Sequence, residues 1–203
     1  ETPPFEHYSD DVFCELLSQT GCRILTSSSM IRAQALRAVG GFADDADFRS
    51  AEDWDLFLRL ARRYSFHGID QPLVYRRMHD SMISDDRLYG ALGRLKTMQK
   101  ARQYGWEKCM ERVEFERKIA ARHHVYALYL WQAGRVKAAR DHFMQAAGLY
   151  PPEARQRRLY ALYTWLLPPA SVDWTISLAR RLRRLMRRSA SDAARESGEG
   201  PRR

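Results

Sequence analysis

Hydrophobic residues recur every three to four positions in three segments of the first half, a pattern typical of amphipathic helices. The first segment follows a helix cap at Ser9 or Asp10, the second covers residues 31–39, and the third begins at Ser50. Gly40-Gly41 supplies the left-handed residues that end many helices, so the second helix is expected to stop there. The apolar positions that define the first and third helices are Val12, Phe13, Leu16 and Leu17, and Trp54, Phe57, Leu58 and Ala61.

Three short apolar runs, at residues 23–26, 65–69 and 73–76, predict β-strands, and Asp70-Gln71-Pro72 separates the last two. From Arg87 onward the pattern is helical almost without interruption. The predicted fold class is therefore α/β followed by all-α, with a boundary near Asp86. We expect one domain over residues 1–86 and a helical region over residues 87–170.

One repeat-like pattern lies in the helical half. Residues 129–134 and the positions after them resemble the second half of a tetratricopeptide repeat, in which Gly134 closes one helix and Pro151 ends the next. Such a solenoid needs about three copies to bury its own core, and we find one. A helical hairpin packed on a neighbouring element is therefore favoured over a peptide-binding array. The remaining matching positions are Ala138, Phe143, Ala146 and Leu149.

Composition excludes several classes of protein. With 45% hydrophobic and 11% aromatic residues, the 203-residue chain is not disordered throughout. It has no run of about 18 apolar residues that would predict a transmembrane helix. An odd set of three cysteines, Cys14, Cys22 and Cys109, fits a reducing compartment better than a disulfide-stapled secreted domain. The first residue is Glu1 rather than Met, so we expect a fragment or a processed product.

The net charge of +9 is concentrated at one end. Residues 1–153 carry 22 basic and 21 acidic side chains, whereas residues 154–203 carry 12 and 4. A nearly neutral body disfavours a nucleic-acid groove, and we predict no nucleic-acid partner. Residues 174–188 predict an amphipathic helix with six arginines on its polar face, suited to an anionic membrane surface. The alternative is that this helix docks on the helical region. Residues 189–203 are expected to be disordered.

Four motifs in the segment from Ser27 to Ser84 carry the chemistry. They are Ser29-Met30-Ile31-Arg32, then Val39-Gly40-Gly41-Phe42, then Ala51-Glu52-Asp53-Trp54-Asp55, and last Tyr75-Arg76-Arg77-Met78-His79. This segment resembles the acceptor-side, C-terminal half of family 2 glycosyltransferases, which have the GT-A fold. The resemblance implies a partial GT-A domain over residues 1–86, followed by a helical extension.

The candidate catalytic residue lies at the start of the third helix. Ser50-Ala51-Glu52-Asp53 is close to a capping box, and a helix N-terminus favours the ionised form of a carboxyl group. The resemblance implies that Asp53 is the base that deprotonates an acceptor hydroxyl during inverting sugar transfer. Glu52 would then support the helix start or contact the donor or acceptor, and Trp54 is a further candidate substrate contact. Asp55 is the weaker candidate because surface solvation explains it equally well.

Two further motifs are assigned by the resemblance. Gly40 and Gly41 form a helix end and turn, and the resemblance implies that the loop also lies against the donor sugar or acceptor. Of Arg76 and Arg77, at most one can point at a diphosphate, and Arg77 is the candidate with the family spacing. His79 is a candidate metal or diphosphate contact, with a structural role as the alternative.

A divalent metal, Mg²⁺ or Mn²⁺, is the cofactor that the resemblance implies. The strings Asp45-Ala46-Asp47 and Asp53-Trp54-Asp55 do not follow an apolar strand, so we interpret neither as the metal motif. The metal is therefore expected to be bound mainly by residues absent from this chain. We also expect the chain alone to bind nucleotide-sugar poorly.

The resemblance implies an inverting hexosyltransferase-type enzyme of polysaccharide biosynthesis. It would move a sugar from a nucleotide-sugar donor to a glycan or lipid-linked acceptor, at the cytoplasmic face of the plasma membrane, and this fragment would be inactive. The alternative is a non-enzymatic helical adaptor that uses the hairpin and the basic helix. The sequence names neither the donor nor the acceptor.

Overall fold

The computed structural model describes residues 5–7 (backbone only), 11–45, 48, 50–69, 71–75, 87–166 and 168. Within these ranges the helices are α1 (Val12–Ser18), α2 (Ala33–Ala38), α3 (Glu52–Ala61), α4 (Arg87–Lys100), α5 (Arg112–Gln132), α6 (Val136–Leu149) and α7 (Ala154–Leu166). Short 3₁₀ turns cover Thr26–Ser28, Ala101–Gln103, Trp106–Lys108 and Pro151–Glu153. None of the helices in these ranges is both long and apolar enough to cross a membrane.

Strand content in the described residues is much lower than predicted. Strands β1 (Phe5–His7) and β2 (His67–Ile69) pair antiparallel as a two-stranded sheet. Residues 23–25 have no strand, and residues 26–28 form a 3₁₀ turn instead. Residues 73–75 are also irregular. A short apolar run becomes a strand only when another strand is available to pair with it. The chain is mostly helical here, and the predicted α/β GT-A architecture is not confirmed.

The core is built around helix α3. Trp54, Leu56 and Leu58 are fully buried on it, and the same apolar cluster includes Phe13 of α1 and Leu95 of α4. The helices on both sides of residue 86 therefore share one core in the described part of the chain. The domain boundary predicted near Asp86 falls within residues 76–86, outside the described residues, and remains a prediction.

Helix α1 is capped one residue later than predicted. Asp11 is the cap, because its Oδ1 accepts a hydrogen bond of 3.0 Å from the backbone N–H of Cys14. The predicted helices over residues 12–17 and after Ser50 are confirmed, and their apolar positions face the core. Ser9 and Asp10 lie outside the described residues.

The predicted hairpin of the helical half is formed by α5 and α6. Gly134 joins them with a left-handed φ of 75°, and its N–H donates to Trp131 O at 2.9 Å. On α6, Ala139 and Ala146 are fully buried, whereas Ala138 of the predicted pattern is only partly buried. Helix α7 packs on α6 as a third helix. The likeness to a tetratricopeptide repeat remains a prediction.

The cysteine interpretation is wrong for two of the three residues. Cys14 of α1 and Cys109, just before α5, form a disulfide with an S–S distance of 1.98 Å. Cys22 is the free thiol. The pairing spans 95 residues, so no local spacing in the sequence could have indicated it.

Candidate active site at the start of helix α3

Helix α3 begins differently from the predicted capping box. Its N-cap is Ala51, which offers no side-chain hydrogen bond, and Ser50 lies before it with a φ of 65°. In this left-handed conformation the Ser50 hydroxyl does not cap the helix. Ser50 Oγ is buried without a hydrogen-bond partner in the described part of the chain. The predicted capping box is therefore wrong. A non-glycine residue in this conformation costs about 1–2 kcal/mol, and such strain tends to persist near functional sites.

Asp53 lies in the first turn of α3 and is half-buried. The backbone N–H of Trp54 donates to Asp53 Oδ1 at 2.7 Å. Burial raises the pKa of Asp53 above its ordinary value; the negative charge of Glu52 adds to the rise, and the Trp54 N–H and the positive charge of Arg94 oppose it. The helix start favours the ionised form of Asp53, as expected, through the backbone N–H groups of Trp54 and Asp53. Removal from water outweighs the helix effect.

Asp53 lies beside a cleft of about 750 Å³. One wall is formed by the end of α1 and the loop after it, and the other by α4 and α5. Asp53 itself does not line the cleft, but it interacts electrostatically with Cys22 and Arg94, which do. Burial and then the charge of Asp53 raise the pKa of the Cys22 thiol to about 12, so this thiol stays protonated. The lining residues are Glu15, Ser18, Gln19, Thr20, Gly21, Cys22, Arg23, Ala91, Arg94, Arg122 and Val125.

Glu52 is the second acidic residue of the predicted pair. Its Oε2 atom is buried and, within the described ranges, has no hydrogen-bond partner. A buried carboxylate oxygen without a partner is costly, so it marks a place where a ligand donor would be stabilising. The predicted contact of Glu52 with substrate remains a prediction.

The Gly40-Gly41 turn ends α2 as expected. The N–H of Gly40 donates to Arg37 O and that of Gly41 to Leu36 O, each at 3.0 Å, which is a Schellman motif. Both glycines have left-handed φ values, 81° and 70°. A Cβ atom added at either position would meet nothing within 4 Å, so backbone conformation rather than crowding calls for glycine. The substrate contact of this turn remains a prediction.

Asp55 is not the solvated residue that was expected. Its carboxylate is fully buried and accepts a 2.8 Å hydrogen bond from the hydroxyl of Tyr104. Arg59 Nη2 lies 2.8 Å from Asp55 Oδ2, and Lys100 Nζ lies 3.2 Å from Oδ1. A carboxylate occupied in this way has no free oxygen for a metal, in agreement with the interpretation that Asp53-Trp54-Asp55 is not a metal motif.

Arg59 connects this network to the glycine turn. Its Nη2 donates to Gly41 O at 2.8 Å, and its Nη1 donates to Val39 O. Arg63 adds a 3.1 Å hydrogen bond to Ala38 O. The carbonyl groups at the end of α2 and just after it are therefore bonded by side chains from α3 and from the turn that follows α3. This fixes the two predicted motifs, the glycine turn and the Glu-Asp helix, relative to one another.

Trp54 has a packing role in this structure. The side chain is fully buried, and its indole N–H donates to Leu16 O at 3.0 Å. A side chain without exposed surface has no face to offer a substrate. We therefore assign Trp54 to the core that supports Asp53.

Two predicted site residues, Arg77 and His79, lie outside the described residues. Arg94 and Arg122 were missed, because each comes from the helical half and only packing brings it to the cleft.

Residues Asp11, Cys14 and Cys109 are the one grouping in the described ranges with metal-binding geometry, and their cysteines are disulfide-bonded. Mg²⁺ and Mn²⁺ prefer several oxygen ligands, so the described residues do not fit the implied metal.

A family model described as glycosyltransferase like family 2 matches residues 13–143. The match covers the start of α3, the cleft and both α4 and α5, so it includes the helical half as well as the motifs. No curated protein matches the chain, and no solved structure matches it.

Proposed function

The chain belongs to the glycosyltransferase-like family 2, and on that basis we propose that Asp53 is the general base of an inverting sugar transfer. The Asp53 carboxylate takes the proton of an acceptor hydroxyl, and the oxygen attacks the anomeric carbon of the donor sugar. The bond to the nucleoside diphosphate breaks, and its electron pair leaves with the diphosphate. Attack from the opposite face inverts the configuration at that carbon.

The observation that supports this role is the environment of Asp53. Its carboxyl group is half-buried, its pKa is raised, and it lies beside a cleft large enough for a sugar. A carboxylate with a raised pKa is a better proton acceptor than one fully exposed to water, provided that it remains ionised at the working pH. The helix start and Arg94 both favour the ionised form.

Neighbouring polar atoms suit a hydroxyl-rich ligand. In the described residues, Ser50 Oγ and Glu52 Oε2 are both buried without partners. A hydroxyl group that donated to either atom would remove the cost of leaving it unpaired, although neither residue lines the cleft. We assign these atoms, and separately the Gly40-Gly41 turn, to substrate contact.

The coarse chemistry is glycosyl transfer, which requires a nucleotide-sugar donor and an acceptor. We propose a glycan or lipid-linked acceptor. We derive no step through Mg²⁺ or Mn²⁺, because the described residues offer no suitable ligand set.

The test is Asp53→Asn in the full-length protein, assayed for sugar transfer. We expect the rate to fall by roughly 10²–10⁴-fold, the usual loss when a general base is removed. The control is Asp44→Asn, which makes the same chemical change at an exposed loop residue. Circular dichroism and a melting curve establish that both variants fold. If Asp53→Asn transfers sugar at the rate of the control, Asp53 is not the base.

A second candidate function is a non-enzymatic helical adaptor. One observation favours it: helix α7 exposes Leu162, Trp165 and Leu166, with half or more of each side chain accessible. An exposed apolar stripe of this kind marks an interaction surface in many proteins. Under this hypothesis the full-length protein has no transferase activity, and Asp53→Asn leaves partner binding unchanged.

A further inference from the structure

The cleft beside Asp53 is rich in arginine. Arg23, Arg94 and Arg122 line it, and Glu15 is the one acidic residue in its lining. The three residues come from the loop after α1, from α4 and from α5, so only the packing of these elements brings them to one cleft. Clustered like charges repel one another unless an anion lies between them.

Arg122 is held in place by groups that do not neutralise it. Its Nη2 donates to Gln19 O at 3.0 Å, and its guanidinium lies 5.8 Å from the centre of the Trp54 ring. Its Nε is buried and has no hydrogen-bond partner in the described part of the chain. Burial, followed by the positive charge of Arg94, lowers the pKa of Arg122 to about 10. The site therefore contains a desolvated cation whose position is fixed and whose donor capacity is not filled.

Arg94 lies on α4, on the same wall of the cleft as Arg122 of α5. A Cβ atom at Gly21 would lie 3.4 Å from Arg94 Nε, and one at Gly90 would lie 3.5 Å from its Nη1. Glycine at both positions thus leaves room for the guanidinium group. Within the described ranges Arg94 has no salt-bridge partner at 4.0 Å or less, and its positive charge acts on Asp53 over a longer distance.

The same cleft contains an unfilled acceptor. Gln19 Oε1 is buried, and the described residues provide no donor to it. A ligand that carries both an anionic group and a hydroxyl or a protonated oxygen would satisfy Arg122 Nε and Gln19 Oε1 together. Phosphate esters have this combination, and the planar donor fork of arginine matches the spacing of phosphate oxygens.

We propose that this cleft binds a phosphate or diphosphate group, held by Arg94 and Arg122 with Arg23 at the exposed edge. The inference deepens the proposed function and rests on it only for the origin of the ligand, which we assign to the acceptor of the sugar transfer. A phosphate held here places its substrate beside Asp53. The group could belong to a lipid-linked acceptor or to a soluble sugar phosphate, and the chemistry recognised is the same.

The test is titration calorimetry of inorganic pyrophosphate into the full chain and three variants. We expect Arg94→Gln and Arg122→Gln each to weaken binding about tenfold or more, because charge-assisted hydrogen bonds contribute about 1.5–3 kcal/mol. Lys137→Gln, which removes the same charge from an exposed position on α6, is the matched control and should bind as the parent does.

Two further ligands separate the sources of the phosphate. A lipid-linked acceptor is supported if farnesyl diphosphate binds more tightly than pyrophosphate and if Arg94→Gln abolishes this binding. Binding of glucose 1-phosphate with the same dependence on Arg94 supports a soluble one. The proposal is overturned if pyrophosphate does not bind at roughly 1 mM, or if Arg94→Gln binds it as tightly as Lys137→Gln does.

Arg122 contacts Trp54 and Gln19, so the fold of the Arg122→Gln variant is checked by circular dichroism. If Arg122→Gln is unfolded, the result for Arg94→Gln decides the test. Pyrophosphate binding requires no transfer. A failed titration therefore overturns the phosphate site alone, whereas an active Asp53→Asn enzyme overturns the base alone.

Discussion

The hydroxyl of Tyr104 lies 2.8 Å from Asp55 Oδ1, and both groups are buried. Tyr104 follows α4, whereas Asp55 belongs to α3, 49 residues earlier. Asp55 also contacts Arg59, whose guanidinium holds the Gly40-Gly41 turn. One carboxylate therefore joins the helical half to both motifs of the candidate site. Burial and the hydrogen bond to Asp55 raise the pKa of Tyr104, which keeps the phenol protonated as the donor.

Asp55→Asn should destabilise the protein by about 2–4 kcal/mol, because it leaves Arg59 and Lys100 without their buried counter-charge. Urea denaturation followed by circular dichroism measures the change. The control is Glu114→Gln, which removes a carboxylate that pairs with Arg117 and Lys118 at the surface. That change should cost under about 1 kcal/mol. Equal losses in the two variants would show that the Asp55 network does not stabilise the fold.

The raised pKa of Asp53 predicts a trade-off between stability and activity. The folded state favours the protonated form of Asp53. Its contribution to the unfolding free energy is therefore fully present below pH 3.8, the ordinary pKa of aspartate, and is lost as the pH rises through the folded pKa. Asp53→Asn should therefore be at least as stable as the parent at neutral pH, with the difference vanishing near pH 3. Thermal melts across this range measure it. A variant clearly less stable than the parent at neutral pH contradicts the prediction.

The same group should set the acid limb of the transfer reaction. Activity requires the carboxylate form of Asp53, so the rate should fall as the pH is lowered through its folded pKa. The midpoint should lie above 3.8, the ordinary value for aspartate. A pH–rate profile of the full-length enzyme measures this, with Asp44→Asn expected to keep the parent profile. An acid limb centred below 3.8 would conflict with the raised pKa.

The disulfide between Cys14 and Cys109 should contribute about 3–5 kcal/mol, because it closes a loop of 95 residues in the unfolded chain. Cys14→Ser should lower the melting temperature measured without reductant, whereas Cys22→Ser, at the free thiol, should lower it much less. Thiol titration of the unreduced, denatured parent should find one reactive group. Three reactive groups would mean that the bond does not form.

The His123 and His142 rings meet with their Nδ1 atoms 2.8 Å apart. Burial and the neighbouring charges of His142, Arg102 and Arg157 lower the pKa of His123 to about 4. The unfolded chain therefore binds more protons between pH 6.5 and about 4, so the unfolding free energy should fall as the pH is lowered through this window.

Replacing His123 by Phe removes this titrating group. The unfolding free energy of the variant should then fall less between about pH 7 and pH 5 than that of the parent, by on the order of 1 kcal/mol. Urea titrations at the two pH values measure the effect. The control is His67→Phe, which makes the same chemical change at an exposed position. A His123→Phe variant with an unchanged pH dependence would contradict the pKa assignment.

The basic segment 174–188 lies outside the described residues, and its membrane contact remains a proposal. The full chain should sediment with vesicles of phosphatidylglycerol and not with phosphatidylcholine, and high salt should weaken this binding. A chain that ends at Pro168 should lose it. Binding that survives this truncation would place the membrane contact elsewhere.

Local chemistry determined several features that the sequence alone predicted. The helix over Val12–Ser18 follows from apolar spacing, and the end of α2 follows from two glycines that adopt left-handed conformations without strain. The Glu-Asp pair at the start of α3 could also be located from its motif. The family resemblance stated from these motifs agrees with the model match over residues 13–143.

Tertiary structure decided the environment of the individual side chains. Asp55 looked solvated and is buried, because Tyr104 and Lys100 approach it from beyond α3. The predicted strand near residue 25 has no partner strand in the described residues, and the Cys14–Cys109 bond joins positions 95 apart. The ends of a helix depend on residues that are neighbours in the sequence, so the spacing of residue types along the chain predicts them. Burial, charge pairing and the pKa of Asp53 depend on which distant helices pack together, and that is fixed only when the chain has folded.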